Sequence, residues 1–246
     1  MTETILELDD VVGGYGRITI LNGCSFKVRR GAITTVIGPN GAGKSTVFKA
    51  IFGLIRPSSG RIRFYGTDIT GWSPRQLLEA GIVYVPQGRN LFPELSVRHN
   101  LELGTVAAGP GIRDVGARIE RALDRFPILR QKADQQASTL SGGQQKQLEI
   151  MRGLLLDPRL ILIDEPSIGL SPLLVQETFA ILTELRDQGV SILMVEQNAR
   201  SALLISDEGI VLELGRARMQ GPADEILRDP RVGQLFLGGG LAEPAA

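Results

Sequence analysis

Gly38–Thr46 reads GPNGAGKST, and this stretch decides the fold. Its glycines free backbone N–H groups to wrap around a polyphosphate, while Lys44 supplies a positive charge. The apolar run Ala32–Ile37 precedes it and Val47–Phe52 follows. A buried strand therefore feeds a helix whose positive dipole end faces the bound anion. Gly38, Pro39, Asn40, Gly41, Ala42, Gly43, Lys44, Ser45 and Thr46 form the candidate phosphate cradle. Within it Ser45 is expected to ligate Mg²⁺ and the Thr46 hydroxyl to reach the α-phosphate. The full G-x-x-x-x-G-K-S spacing, set between strand and helix, separates this stretch from a flexible Gly-rich turn.

Two further stretches give the loop a purpose. Arg159–Glu165, RLILIDE, is an apolar run ending in two carboxylates, as expected of a central parallel strand with acids at its carboxyl edge. Asp164 can hold Mg²⁺ through water, and Glu165 lies one residue further on. There a carboxylate could polarise a water for in-line attack on a γ-phosphate, with Lys44 on the phosphates. Leu140–Gln144, LSGGQ, precedes Leu148, Met151, Leu154 and Leu155, a periodic set that predicts a helix capped by Ser141. Ser141, Gly142, Gly143 and Gln144 offer an anion a hydroxyl, backbone amides and a positive dipole end. Because the loop at Gly38 serves its own phosphates, this second anion site is most simply read as serving ATP bound to another subunit.

With these three elements in this order, the chain resembles the ATP-binding cassette (ABC) ATPases over nearly its whole length. The resemblance implies an α/β fold: a P-loop NTPase (RecA-like) core with an antiparallel β edge sheet and an inserted α-helical subdomain. It implies ATP hydrolysis, with ATP and Mg²⁺ as the small-molecule partners. By the same resemblance Tyr15, in GGYG, stacks on adenine. Gln87, in VYVPQGRNLFP, touches Mg²⁺ or the attacking water and senses a membrane partner, which makes Ser45, Gln87 and Asp164 the implied metal set.

Two departures narrow the resemblance. The family usually reads S-x-G-L-D after the proline, but Ser171 stands here in the aspartate's place. The family usually places histidine after the next strand, but this chain reads Val195-Glu196-Gln197-Asn198, so Gln197 takes the γ-phosphate sensor position. An amide donates a hydrogen bond but carries no proton as imidazolium does. The only histidine, His99 in VRHNL, is expected on a helix surface. EPSIGLSPLLV, VEQNARSAL and RDPRVGQLFLGG together are similar to the second (LivF-type) ATPase subunit of high-affinity branched-chain amino acid importers. PQGR leans toward the related urea importers, whereas Glu165–Val175 leans toward the amino acid group. Import of urea, other amides or small carboxylates, export of lipid or polysaccharide, and a soluble non-transport cassette ATPase are the alternatives.

Composition fits a peripheral cytoplasmic subunit, and the resemblance implies the cytoplasmic face of the inner membrane. The 246 residues carry 27 Lys and Arg against 27 Asp and Glu, so no global field points to nucleic acid. No run approaches the ~18 apolar residues of a membrane span, and MTETILELDD is not a signal peptide. Cys24 is the only cysteine, excludes an intrachain disulfide and reads as a core residue.

Ile5–Val12, Ser25–Val28 and Arg61–Phe64 predict an antiparallel sheet near the adenine. Ile33–Ile37, Ile82–Val85, Leu160–Ile163 and Ile192–Val195 predict a buried parallel sheet. Val97–Leu103, Val115–Phe126 and the LSGGQ helix, broken by Gly109-Pro110-Gly111, predict a helical insertion. The expected division is a catalytic core of residues 1–87 and 153–237, a helical subdomain of 88–152 and a mobile tail of 238–246. The resemblance implies integral-membrane permease subunits as partners, docked near Gln87, Leu91 and Phe92, and a periplasmic binding protein acting indirectly. It also implies a second ABC ATPase subunit, as a heterodimer or a homodimer.

Overall fold

A computed structural model describes residues 3–88, 90–106 and 114–236. The amino-terminal part runs β1 (Thr4–Tyr15), β2 (Ile18–Arg29), β3 (Ile33–Ile37), α1 (Lys44–Ile51), β4 (Ser59–Phe64), β5 (Thr67–Asp68), α2 (Pro74–Ala80) and β6 (Ile82–Val85). Four helices come next, α3 (Val97–Val106), α4 (Val115–Arg125), α5 (Pro127–Gln131) and α6 (Gly142–Leu154). The remainder is β7 (Leu160–Asp164), α7 (Pro172–Asp187), β8 (Ser191–Val195), α8 (Ala199–Leu203), β9 (Glu208–Glu213), β10 (Arg216–Pro222), α9 (Ala223–Arg228) and α10 (Pro230–Phe236). The Gly109–Gly111 break, the tail of 238–246 and Arg89 lie outside the described residues.

The sheets sort by hydrophobic pattern. One is the antiparallel set β2-β1-β4-β5, and the other has the order β10-β9-β3-β8-β7-β6, parallel from β9 to β6 with β10 antiparallel at its edge. Strands β3, β7 and β8 are buried throughout, because both faces of a parallel sheet are covered. Their alternate residues serve different cores. Leu193 and Val195 of β8 pack with Val36, Phe48, Leu21 and Ile62, which sandwiches α1 between the two sheets. Ile192 and Met194 face the other way, onto Phe179, Leu182 and Leu185 of α7 and Ile150 of α6. Phe48 is fully buried, and truncating such a ring to alanine costs about 3–5 kcal/mol.

The third core belongs to the helices: Val97, Leu101, Ile119, Leu123, Phe126, Leu129, Leu148, Met151 and Leu155. The expected division between residues 152 and 153 falls inside α6, and this core extends to Leu155. The physical reason is that one face of α6 packs on the helices while Ile150, on another face, packs on the parallel sheet. A boundary cannot cut a helix that serves both.

Candidate functional site

The loop after β3 turns on backbone geometry that only glycine supplies. Cβ on Gly38 would sit 2.1 Å from the carbonyl oxygen of Leu212, on β9. Gly43 stands at the N-cap of α1 with φ 101 and no side-chain cap, so the first-turn amides of α1 have no capping side chain. The Lys44 ammonium is buried and donates to the carbonyls of Gly38 at 2.9 Å and Pro39 at 3.1 Å. Burial lowers its pKa, opposed by the charges of Glu165 and Asp164. A cationic ammonium beside uncapped helix amides is built for a multivalent anion.

β7 brings its acids to this loop. The Ser45 hydroxyl donates to Asp164 Oδ1 at 3.3 Å, and the Tyr84 hydroxyl donates to Oδ2 at 3.2 Å. Burial raises the Asp164 pKa above the ordinary carboxylate range, against both hydroxyls and the nearby lysines. A buried carboxylate destabilised in this way gains from a cation. The Ser45 hydroxyl and Asp164 carboxylate that meet here are hard oxygen donors, which suit Mg²⁺ rather than a softer metal, whereas the Gln87 amide nitrogen lies on Glu165.

Glu165 is where the elements converge. Its backbone adopts φ 49, a left-handed conformation rare for a residue with a side chain. The buried carboxylate accepts from Gln87 Nε2 at 2.9 Å on one oxygen and from Gln197 Nε2 at 3.1 Å on the other. Segments following β6, β7 and β8 thus meet at one carboxylate, at the carboxyl ends of adjacent parallel strands. That edge is where ligands bind in open α/β sheets.

Tyr15 ends β1 half-exposed, with Lys49 of α1 5.5 Å from its ring centroid and donating to its hydroxyl at 3.2 Å. Ser141 is the N-cap of α6 in a capping box: its hydroxyl accepts from Gln144 N–H, and Gln144 Oε1 accepts from Ser141 N–H. Ser141 and Gln144 line a groove with Phe126 and Leu174, and Gly142 lines a cleft with Gly88 and Gly169. Gly143 is buried against Leu174. No residue of Gly38–Thr46 lines either surface. Ser171 is the exposed N-cap of α7, without a side-chain capping bond, and His99 is exposed on α3. Cys24 is fully buried, which pushes its thiol pKa up to about 12.

Three polar features of the site were not anticipated from sequence. Tyr84 holds Asp164. The buried Lys146–Glu149 pair, at 2.6 Å, presents a carboxylate oxygen to Asn90 N–H and so ties α6 to the loop carrying Gln87. Glu196 is buried and hydrogen-bonds Ser167. Its available signal was an apolar strand running into an acid, the pattern that marked Asp164 and Glu165.

Fold and site together define a nucleotide-hydrolysing α/β protein of the phosphate-loop class. Residues 21–168 match the ABC transporter family, and the chain belongs to that family as one of its ATPase subunits. It is 39% identical over 235 residues to the high-affinity branched-chain amino acid transport ATP-binding protein BraG of Pseudomonas aeruginosa, covering 96% of this chain and all of that one. It is 38% identical to the probable branched-chain amino acid transport ATP-binding protein LivF of Archaeoglobus fulgidus, over 92% of this chain and 95% of the relative. Among solved structures, a nucleotide-free ATP-binding cassette from an ABC transporter superposes with a TM-score of 0.87 at 31% identity, covering 94% and 98% of the two chains. The ADP conformation of another such cassette gives 0.86 at 32% identity, covering 96% and 100%. Among the described residues, no helix is long and apolar enough to cross a membrane.

Proposed function

We propose that this chain powers import of branched-chain amino acids, working at the cytoplasmic face of the inner membrane with integral permeases and a second ABC ATPase subunit. The observation that carries the chemistry is the Glu165 carboxylate held between the amides of Gln87 and Gln197. The transported class follows from the named substrates of the BraG and LivF relatives. Pseudomonas aeruginosa has two branched-chain amino acid transport ATP-binding proteins, BraG and BraF, which this chain matches at 39% and 32%, and the two names favour a heterodimer.

In this reading Gly38–Thr46 wraps the phosphates, Lys44 leaves its own loop carbonyls for the β- and γ-phosphates, and Tyr15 stacks on adenine. Ser45, Asp164 and Gln87 would hold Mg²⁺, which when bound neutralises charge on the phosphate oxygens. Glu165 takes a proton from water as the water oxygen bonds to the γ-phosphorus and the β–γ bridging bond breaks, the electron pair leaving with ADP. The Gln197 amide has two N–H donors: one orients Glu165 and the other serves a γ-phosphate oxygen. Ser141–Gln144 completes the site of the partner ATPase when two cassettes close head to tail. Closure does transport work because ATP binds the closed pair more tightly than the open one.

The test is reconstitution of the full chain in liposomes with permeases, a companion ATPase and a binding protein from its own organism. ATP-dependent accumulation of leucine, isoleucine and valine is the expected result. Accumulation of urea instead would move the chain to the urea importers, and ATP turnover indifferent to permease and solute would overturn the transport role.

A further inference from the structure

Glu196 does not reach the phosphate loop, yet it is 1% exposed and every hydrogen-bonding neighbour of its carboxylate is a donor. Its Oε1 accepts the Ser167 N–H at 2.8 Å. Its Oε2 accepts the Ser167 hydroxyl at 2.8 Å and the Gln197 N–H at 3.1 Å. Glu196 N–H donates to Val36 O of β3 at 3.3 Å, and Glu165 N–H donates to Val195 O at 2.9 Å. These bonds close a ring: from Glu165 along the chain to Ser167, across to Glu196, along to Gln197, and from the Gln197 amide back to Glu165 Oε1 at 3.1 Å.

We infer that Glu196 is a positioning residue for hydrolysis: its carboxylate locks the loop after β7 to the loop after β8, and so holds the Gln197 amide in register with Glu165. The inference rests on the reading of Glu165 as the base, and it adds a residue to which that reading gives no part. A carboxylate suits the place because it accepts in several directions and donates nothing. Glutamine, equal in size, would turn an N–H₂ toward the Ser167 and Gln197 donors and leave at least one of them unpaired. Burial raises the Glu196 pKa, and the hydrogen bonds from Ser167 and from the Gln197 and Asn198 backbone oppose that. Gln197 is exposed and its side chain is long, so its orientation depends on where its backbone is fixed. The same lock fixes Ser167, the start of the turn that leads through Gly169 to Ser171 and α7.

The test is a double-mutant cycle on ATP turnover and nucleotide affinity of the full chain. Glu196→Gln is expected to lower kcat by about 10- to 100-fold while the KM for ATP and ADP affinity stay within about twofold, since the lost interaction orients the reacting groups and not the nucleotide. In a Gln197→Ala background the same change should lower kcat by less than about threefold, because the amide it orients is gone. Ser167→Ala, which leaves the carboxylate and the backbone in place, should show a smaller kcat loss with the same dependence on Gln197. It keeps the inference testable if Glu196→Gln does not fold. Full additivity of the Glu196 and Gln197 effects, or a loss confined to nucleotide affinity, would overturn the positioning role. Glu165→Gln run alongside separates the two levels: wild-type turnover there sinks the base assignment, whereas an inactive Glu165→Gln with an additive cycle sinks only Glu196.

Discussion

The chain starts two helices with glycine-rich, anion-seeking sequences, and the two are built oppositely. At α1 the N-cap is Gly43, which contributes no side chain, and the nearby Lys44 turns back onto its own loop's carbonyls. At α6 the N-cap is Ser141, in a reciprocal capping box with Gln144, whose oxygen also accepts from Lys132 at 3.1 Å. The first helix start has no capping side chain, which leaves its amides to an anion. The second is satisfied by its own side chains, and a phosphate approaching it must compete with a cap of about 1 kcal/mol. The difference suits a site that binds nucleotide by itself at one end and completes a neighbour's site only on closure.

Removing the charge at the open end should have the largest effect. Lys44→Ala removes the ammonium from the loop, and nucleotide affinity should fall by about 100-fold or more in a folded protein, measured by isothermal titration. Near-normal affinity would show that the open helix start is not the primary site. Glu165→Gln should leave that affinity intact and lower hydrolysis by roughly 10² or more, with a longer-lived ATP-bound dimer seen by sedimentation.

Ser141 tests the closed end. Ser141→Arg should preserve binding at Lys44 but prevent ATP-dependent dimerisation through bulk and like charge. Ser141→Ala should lose only the cap, lowering Tm by about 2–4 °C. Equal binding defects in Ser141→Arg and Lys44→Ala would erase the distinction between the two ends.

The smallest effect concerns stability and has a definite sign. Because burial raises the folded-state pKa of Asp164, its charged form is disfavoured in the folded state. The stabilising contribution is present below the ordinary carboxylate pKa and is lost as pH rises through the raised value. Asp164→Asn should therefore raise Tm by a few degrees at neutral pH without nucleotide or Mg²⁺, and the gain should vanish in acid. A lower Tm at neutral pH would mean that the Ser45 and Tyr84 hydroxyls more than offset the burial.

The legible parts of the sequence were those whose chemistry is local. Ile33–Ile37 and Ile82–Val85 are strands with the limits their apolar runs imply, and Ser141 caps its helix as the apolar periodicity after it predicts. β1 and β2 run longer than expected, to Tyr15 and back from Ile18, because ladder pairing continues through glycines that weaken the apolar pattern. The hairpin of β9 and β10 went unread because its turn is Leu214-Gly215. Both residues have positive φ, 47 and 75, and leucine is a poor advertisement for such a turn.

Short-range order along the chain determined the phosphate cradle, the acidic strand end, the capped helix and the buried parallel strands, because each depends on residues within one turn or one strand of each other. Tertiary structure alone decided which amides meet Glu165, that Tyr84 braces Asp164, that Glu149 holds Asn90, and that Glu196 ties Ser167 to Gln197. Each of these contacts joins segments distant along the chain, all but the Glu149–Asn90 bond across a crossover of the parallel sheet, and strand order across that sheet, β3-β8-β7-β6, is not the order of the chain. A side chain's partners across such crossovers are set by which strands pack together, and that follows from burying both faces of the sheet at once.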